Sequence, residues 1–152
     1  MSPEEAVEGG AAAQQTPAAD SAGRSQHGAT MAAISRRIVH LLKEYYGKGP
    51  TKARTYHWGD LVVVLLSGGF TRAEKTLLEE GRERAVIEQR AELQDLMGPR
   101  FKRVIEEELN REVIAFMSAN HHDPDFNAEL FVLAPLPSEN GLDTTAEGAV
   151  EG

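Results

Sequence analysis

Between Met31 and Gly47, the segment "MAAISRRIVHLLKEYYG" places Met31, Ile34, Ile38, Leu41 and Tyr45 three or four residues apart. Leu42 widens the stripe, and Arg36, Arg37, Lys43 and Glu44 fall off it. Apolar positions at that spacing line one side of a helix. Gly47 follows the last periodic residue and suits a left-handed cap, and Pro50 prevents continuation. From Thr51 the period drops to two. "TKARTYHW" alternates and is rich in Thr and aromatic residues, which predicts a strand. Gly59-Asp60 then turns the chain into "LVVVLLSGG", apolar at consecutive positions and therefore expected to be covered on both faces. The two segments read as an antiparallel hairpin.

The helical period returns after Phe70. Thr71 with Glu74 three residues on is a capping box, in which each side chain accepts from the other residue's backbone N–H. The helix is predicted to run through "RAEKTLLEE" and stop at Gly81. In "RERAVIEQRAELQDLMGPRFKRVIEEELN", Val86, Leu93, Met97, Phe101, Val104 and Ile105 keep one stripe, while Gly98-Pro99 predicts a kink or a break into two helices. "EVIAFMSA" and "FNAELFVLA" read as strands joined by "NHHDPD", whose Asp-Pro-Asp is turn chemistry. The order α-β-β-α-α-β-β predicts an α+β fold, a four-stranded antiparallel sheet packed with helices.

Composition changes this picture mainly at the ends. The 152 residues carry a net charge of −8. Residues 1–26 net −3, from Glu4, Glu5, Glu8 and Asp20 against Arg24, and residues 136–152 net −4, from Glu139, Asp143, Glu147 and Glu151. That leaves −1 for the body. Both ends are rich in Ala, Gly, Ser, Thr, Pro and Gln, too poor in apolar surface to offset chain entropy. The expected organisation is a disordered tail over 1–28, a single domain over 29–135 and a second disordered tail over 136–152. A near-neutral body with dispersed cations predicts no nucleic-acid affinity, which needs a basic face. With no cysteine, disulfides and thiolate metal sites are excluded. The longest apolar run, Leu61 to Leu66, is far short of a membrane span, and the acidic N-terminus does not read as a signal peptide. The expectation is a cytoplasmic protein without membrane insertion, able to sit peripherally at the inner face of a membrane.

Candidate chemistry is sparse. "YYGKGPTKARTY" packs cations and glycines together, but a phosphate-binding loop runs from strand to helix with Lys after its last Gly, and here both orders are reversed. What remains is a small anion-attracting edge made by Lys48, Lys52 and Arg54, with Lys52, Arg54 and Tyr56 on one strand face. Edge-strand lysines also discourage edge-to-edge pairing, and that reading comes first. His121, His122, Asp123 and Asp125 have metal-ligand chemistry, and His57 would join them if its strand lay alongside. Neighbours in a tight turn rarely converge on one ion, so no metal, cofactor or catalytic residue is assigned. Glu106, Glu107 and Glu108 point in different directions from one helix and read as a solvated face.

Three segments, "YYGKGPTKARTY", "DLVVVLLSGGFTRAEKTL" and "HDPDFNAELFVL", occur in the order and at the separations of the MpsC family, which the chain resembles from about Ile34 to Leu133. Relatives usually carry Pro after the capping Thr, where this chain has Arg72, and lack long acidic tails. The resemblance implies association with a Na+-translocating, membrane-potential-generating system that moves ions or inorganic carbon. It supplies no catalytic residues. The functional expectation is a non-enzymatic accessory or regulatory protein whose partners are membrane transporter subunits. The alternative is a small-anion or nucleotide sensor using Lys48, Lys52 and Arg54. Because Leu61–Leu66 and Val113–Met117 are apolar at every position, a homodimer through the sheet or the long helix is also expected.

Overall fold

The computed structural model describes residues 18–137, folded as three helices and one four-stranded antiparallel sheet in the expected α-β-β-α-α-β-β order. The elements are α1 (Ala18–Tyr46), β1 (Lys52–Trp58), β2 (Leu61–Ser67), α2 (Arg72–Glu79), α3 (Glu83–Leu109), β3 (Val113–His122) and β4 (Asp125–Leu133). The sheet order is β1-β2-β4-β3, which sets β1 and β3 on opposite edges.

Helix α1 starts at Ala18, ahead of the periodic stripe. Residues 18–28, assigned to a tail on composition, are helical here, and residues 22–29 are exposed. Once the stripe has nucleated a helix, adding residues upstream costs little, and the alanines favour it. The remainder of the two expected tails, residues 1–17 and 138–152, lies outside the described residues. On the buried side Ile34, Ile38 and Leu42 reach the core, with Met31, Leu41 and Tyr46 packed around them. Tyr46, not Tyr45, occupies the last stripe position. Tyr45 turns outward, where Arg100 lies over its ring at 4.6 Å and donates to its hydroxyl at 3.0 Å. Gly47 caps the helix at φ +76°, its N–H bonded to the Lys43 carbonyl.

The β1–β2 hairpin pairs Lys52 with Ser67 through Trp58 with Leu61, turning at Gly59-Asp60 as expected. The second hairpin is tighter than expected. β3 and β4 pair as far as His122 with Asp125, so the strands absorb Asn120, His121 and His122 and leave only Asp123-Pro124 to turn. The capping box of α2 is complete, with Glu74 N–H donating to Thr71 Oγ1 at 3.2 Å and Thr71 N–H to Glu74 Oε1 at 3.0 Å. Helix α3 continues through Pro99 without breaking. Met97, Gly98, Phe101, Val104 and Ile105 are all buried around that point, and this packing holds the turns on either side of the missing donor. Gly98 is needed for the approach: a Cβ there would stand 3.2 Å from the Phe116 ring.

The glutamates at the end of α3 are not merely solvated. Arg37 of α1 pairs with Glu107 at 2.5 Å and Glu108 at 3.0 Å, and Glu106 accepts the Val113 N–H at 3.0 Å. They tie α3 to α1 and to the start of β3. Being half-exposed, the arginine pairs contribute orientation more than energy, typically about 0–1 kcal/mol each.

All three helices lie on one side of the sheet. Val62, Val64, Leu66, Phe131 and Leu133 face them, within a core completed by Met97, Phe101, Val104 and Ile105. Strand β2 alternates half-buried with buried residues along its length. The expectation that both its faces be covered is thus met on one face only. The outer face carries Tyr56 and Trp58 of β1, Leu61, Val63 and Leu65 of β2, Ala128, Leu130 and Val132 of β4, and Ala115 and Met117 of β3. No helix packs on it among the described residues.

Candidate functional site

The helix-facing side of the sheet changes character along its length. Toward one end it is hydrocarbon, with Val62 beside Phe131 and Phe131 against Phe116 at 5.1 Å between ring centroids. Past Val64 the cross-strand partners become Glu129 and Ser118, then Asn127 and Asn120, then Asp125 and His122. These polar residues stand in phase with Phe131 and Leu133, so strand geometry alone turns them inward.

Glu129 is 1% exposed, and its Oε2 has no hydrogen-bond partner. Burial pushes its carboxyl up to about 7. Ser118 and Asn127 beside it pull the other way, though neither completes a hydrogen bond to Oε2 and the Ser118 hydroxyl is itself unpartnered. Asn127 is held by its amide, which donates to Asn120 Oδ1 at 2.6 Å and to the Ala119 carbonyl at 3.1 Å. Burial, with the Glu129 charge adding to it, raises the Tyr46 phenol to about 12.

Next to this group Arg90 of α3 reaches back beneath α2. Its Nε donates to Glu74 Oε2 at 2.7 Å, its Nη1 lies 3.4 Å from Asp125 Oδ1, and its guanidinium sits 4.1 Å above the Phe70 ring. Glu74 therefore serves twice, with Oε1 in the helix cap and Oε2 on the guanidinium. Burial raises the Asp125 carboxyl despite Arg90, and Asp125 Oδ2 has no partner. One buried guanidinium thus faces two carboxyls.

Tyr46, Arg90, Asn127 and Glu129 border a cavity of about 40 Å³, enough for a few water-sized groups. Its walls are Leu42, Tyr46, Lys48 and Pro50, then Leu66, Gly68 and Gly69, then Arg90 and Gln94, with Asn120, Asn127 and Glu129 as the floor. The glycines let two chain segments meet at the mouth. Gly69 has φ +99°, and a Cβ there would come within 3.0 Å of the Pro50 backbone. Lys48 bridges the same segments by donating to the Phe70 carbonyl at 3.3 Å.

The three basic residues singled out from sequence do not converge. Lys48 lines this cavity, whereas Lys52 and Arg54 stand exposed on the opposite, outer face of edge strand β1. His57 does not join the second hairpin, because β1 and β3 are on opposite edges; its ring stacks on His27 at 5.4 Å. Among the described residues no group of three His, Asp or Glu side chains has metal-site geometry.

The family described as Na+-translocating membrane potential-generating system (MpsC) matches residues 26–135. The chain belongs to the MpsC family. No curated protein and no solved structure matches it. The match spans every element that builds the cavity. Each of the three segments that carry the family resemblance also contributes to it: Tyr46, Lys48 and Pro50 from the first, Gly68 and Gly69 from the second, Asn127 and Glu129 from the third.

Proposed function

We infer that this MpsC chain is a non-catalytic accessory or regulatory protein of a membrane ion or inorganic-carbon transport system, and that the Glu129 cavity is its regulatory input. The observation that carries the reading is the meeting of the three family segments at one cavity floored by a buried carboxyl and two amides. Burying an unpaired carboxyl costs stability that an apolar residue would not, so its placement there suits a site that answers to a proton or a small ligand. No helix among the described residues is long and apolar enough to cross a membrane, and in this reading the translocation path belongs to partner subunits. The test is affinity purification of the full chain from gently solubilised membranes. Integral transport subunits are expected in the eluate, and their absence after cross-linking in intact cells would overturn the assignment.

A second reading, a small-anion or nucleotide sensor, is supported by Lys48 and Arg90 at the cavity wall. The cavity size restricts the ligand to a few heavy atoms or to the tip of a larger molecule. At about 100 times its dissociation constant such a ligand adds about 2.7 kcal/mol of stability. Thermal melts with inorganic phosphate, bicarbonate and ATP are expected to show a shift that Lys48→Ala removes and Lys52→Ala with Arg54→Ala preserves. The reverse dependence would return the site to the β1 edge.

A further inference from the structure

We propose that the outer face of the sheet is a two-fold interface with a second copy of this chain, with the axis lying in the sheet plane and running across the strands. The inference is independent of the cavity, which opens on the other side of the sheet.

The face is apolar where it matters. Val63, Leu65, Leu130 and Val132 form its centre on the two middle strands, flanked by Met117 at 51% exposure and Trp58 at 60%. Four strands at about 4.8 Å spacing and about seven residues at 3.3 Å give a flat footprint of roughly 450 Å² per protomer. Side-chain relief enlarges the accessible area beyond that. Two such faces therefore approach the roughly 1,200 Å² at which specific interfaces begin, and one alone is as large as the patches that ordinary monomers expose. Flat sheets stack through side chains at about 10 Å, and identical faces meet through a two-fold axis.

Charge chooses the axis. Among the described residues, the only formal cations on the face are Lys52 and Arg54, both at one end of β1, and no carboxylate shares the face. The other end of β1 holds Tyr56 and Trp58, their rings stacked at 5.3 Å and 8°. An axis across the strands lays β1 of one protomer on β1 of the other in reverse. Lys52 then stands over the partner's Trp58, and Arg54 over the partner's Tyr56. Each cation thus meets an aromatic ring of the partner, an attractive arrangement. An axis along the strands would instead bring Lys52 to the partner's His121 and leave the aromatic pair without a cation.

Analytical ultracentrifugation of the full chain decides the matter. A dimer of the 16.6 kDa protomer is expected at micromolar concentration. Trp58→Ala and Arg54→Glu, both at exposed positions that leave the core intact, are expected to weaken it at least 10-fold, and Met117→Asp at least 100-fold, with circular dichroism unchanged. The chain has no cysteine, so mixing Arg54→Cys with Tyr56→Cys chains and a short bismaleimide is expected to give the crossed product in preference to either self-product. A monomer overturns the proposal, as does a dimer indifferent to all three substitutions, or a monomer whose face binds anionic vesicles instead. Self-products without the crossed product overturn the axis.

Discussion

Replacing Arg90 with methionine is expected to cost about 3–5 kcal/mol, the usual consequence of stranding a buried charge. The Arg90 side chain is 12% exposed and lies between Glu74 at 4% and Asp125 at 13%. Methionine keeps the aliphatic stem over Phe70 but leaves two carboxyls facing each other without a cation. Against a domain stability of about 5–15 kcal/mol, that loss brings the protein close to unfolding at room temperature. Because the damage comes from stranded charge and not from lost volume, neutralising the partners is expected to repair it. Adding Glu74→Gln and Asp125→Asn to Arg90→Met should recover most of the stability, since Gln still serves at the third position of a capping box. Urea unfolding measures both changes. A loss below about 1 kcal/mol for the single variant, or no recovery in the triple, would show that the cluster is solvated and not a buried ionic unit.

What could be seen in sequence, and what could not, divides along the range of the interactions. The α1 stripe as far as Leu42, the Thr71–Glu74 box and the Gly59-Asp60 turn are each determined by residues within a few positions of one another, and each formed as expected. The cavity is assembled from residues as far apart as Tyr46, Gly69, Arg90 and Glu129, and it exists only because β4 inserts between β2 and β3. No local pattern contains that order. Two signals were nonetheless present. Glu129 lies two residues from Phe131 and four from Leu133, so the period of the strand already placed a carboxyl on the core face. Arg90 follows Val86 by four and precedes Leu93 by three, a guanidinium within an apolar helical stripe. A charge in phase with hydrophobic residues is a better pointer to a buried site than a cluster of charges in a loop. Lys48, Lys52 and Arg54 drew attention by proximity in sequence, and the sheet then separated them onto opposite faces. Pro99 teaches the converse. A residue that breaks an isolated helix is tolerated where tertiary packing holds the turns around it.

The pH dependence of stability is expected to single out Glu129. Its carboxyl ordinarily titrates at 4.5, and burial first of all raises it to about 7 in the folded protein. Between those two values the folded chain keeps a proton that the unfolded chain has released, so stability falls as the pH rises through this window. The fall is complete above pH 7, and its size is on the order of 3 kcal/mol. Glutamine in its place fills the same space and carries no titrating proton. The stability difference between Glu129→Gln and the parent should therefore be small near pH 4.5, widen steadily through neutrality in favour of the variant, and level off about one unit above the folded-state titration. Asp125 is shifted in the same direction, but it is present in both proteins and drops out of the difference to first order. Urea titrations at half-unit pH steps give the curve directly, and two parallel curves would mean that the carboxyl is hydrated in solution. The same proton also tests the role of the cavity. A ligand that donates a hydrogen bond to the ionised Glu129 must displace the proton on binding, so calorimetry near pH 6.5 should show proton release with the parent and none with Glu129→Gln. Equal proton release in both would place the ligand elsewhere.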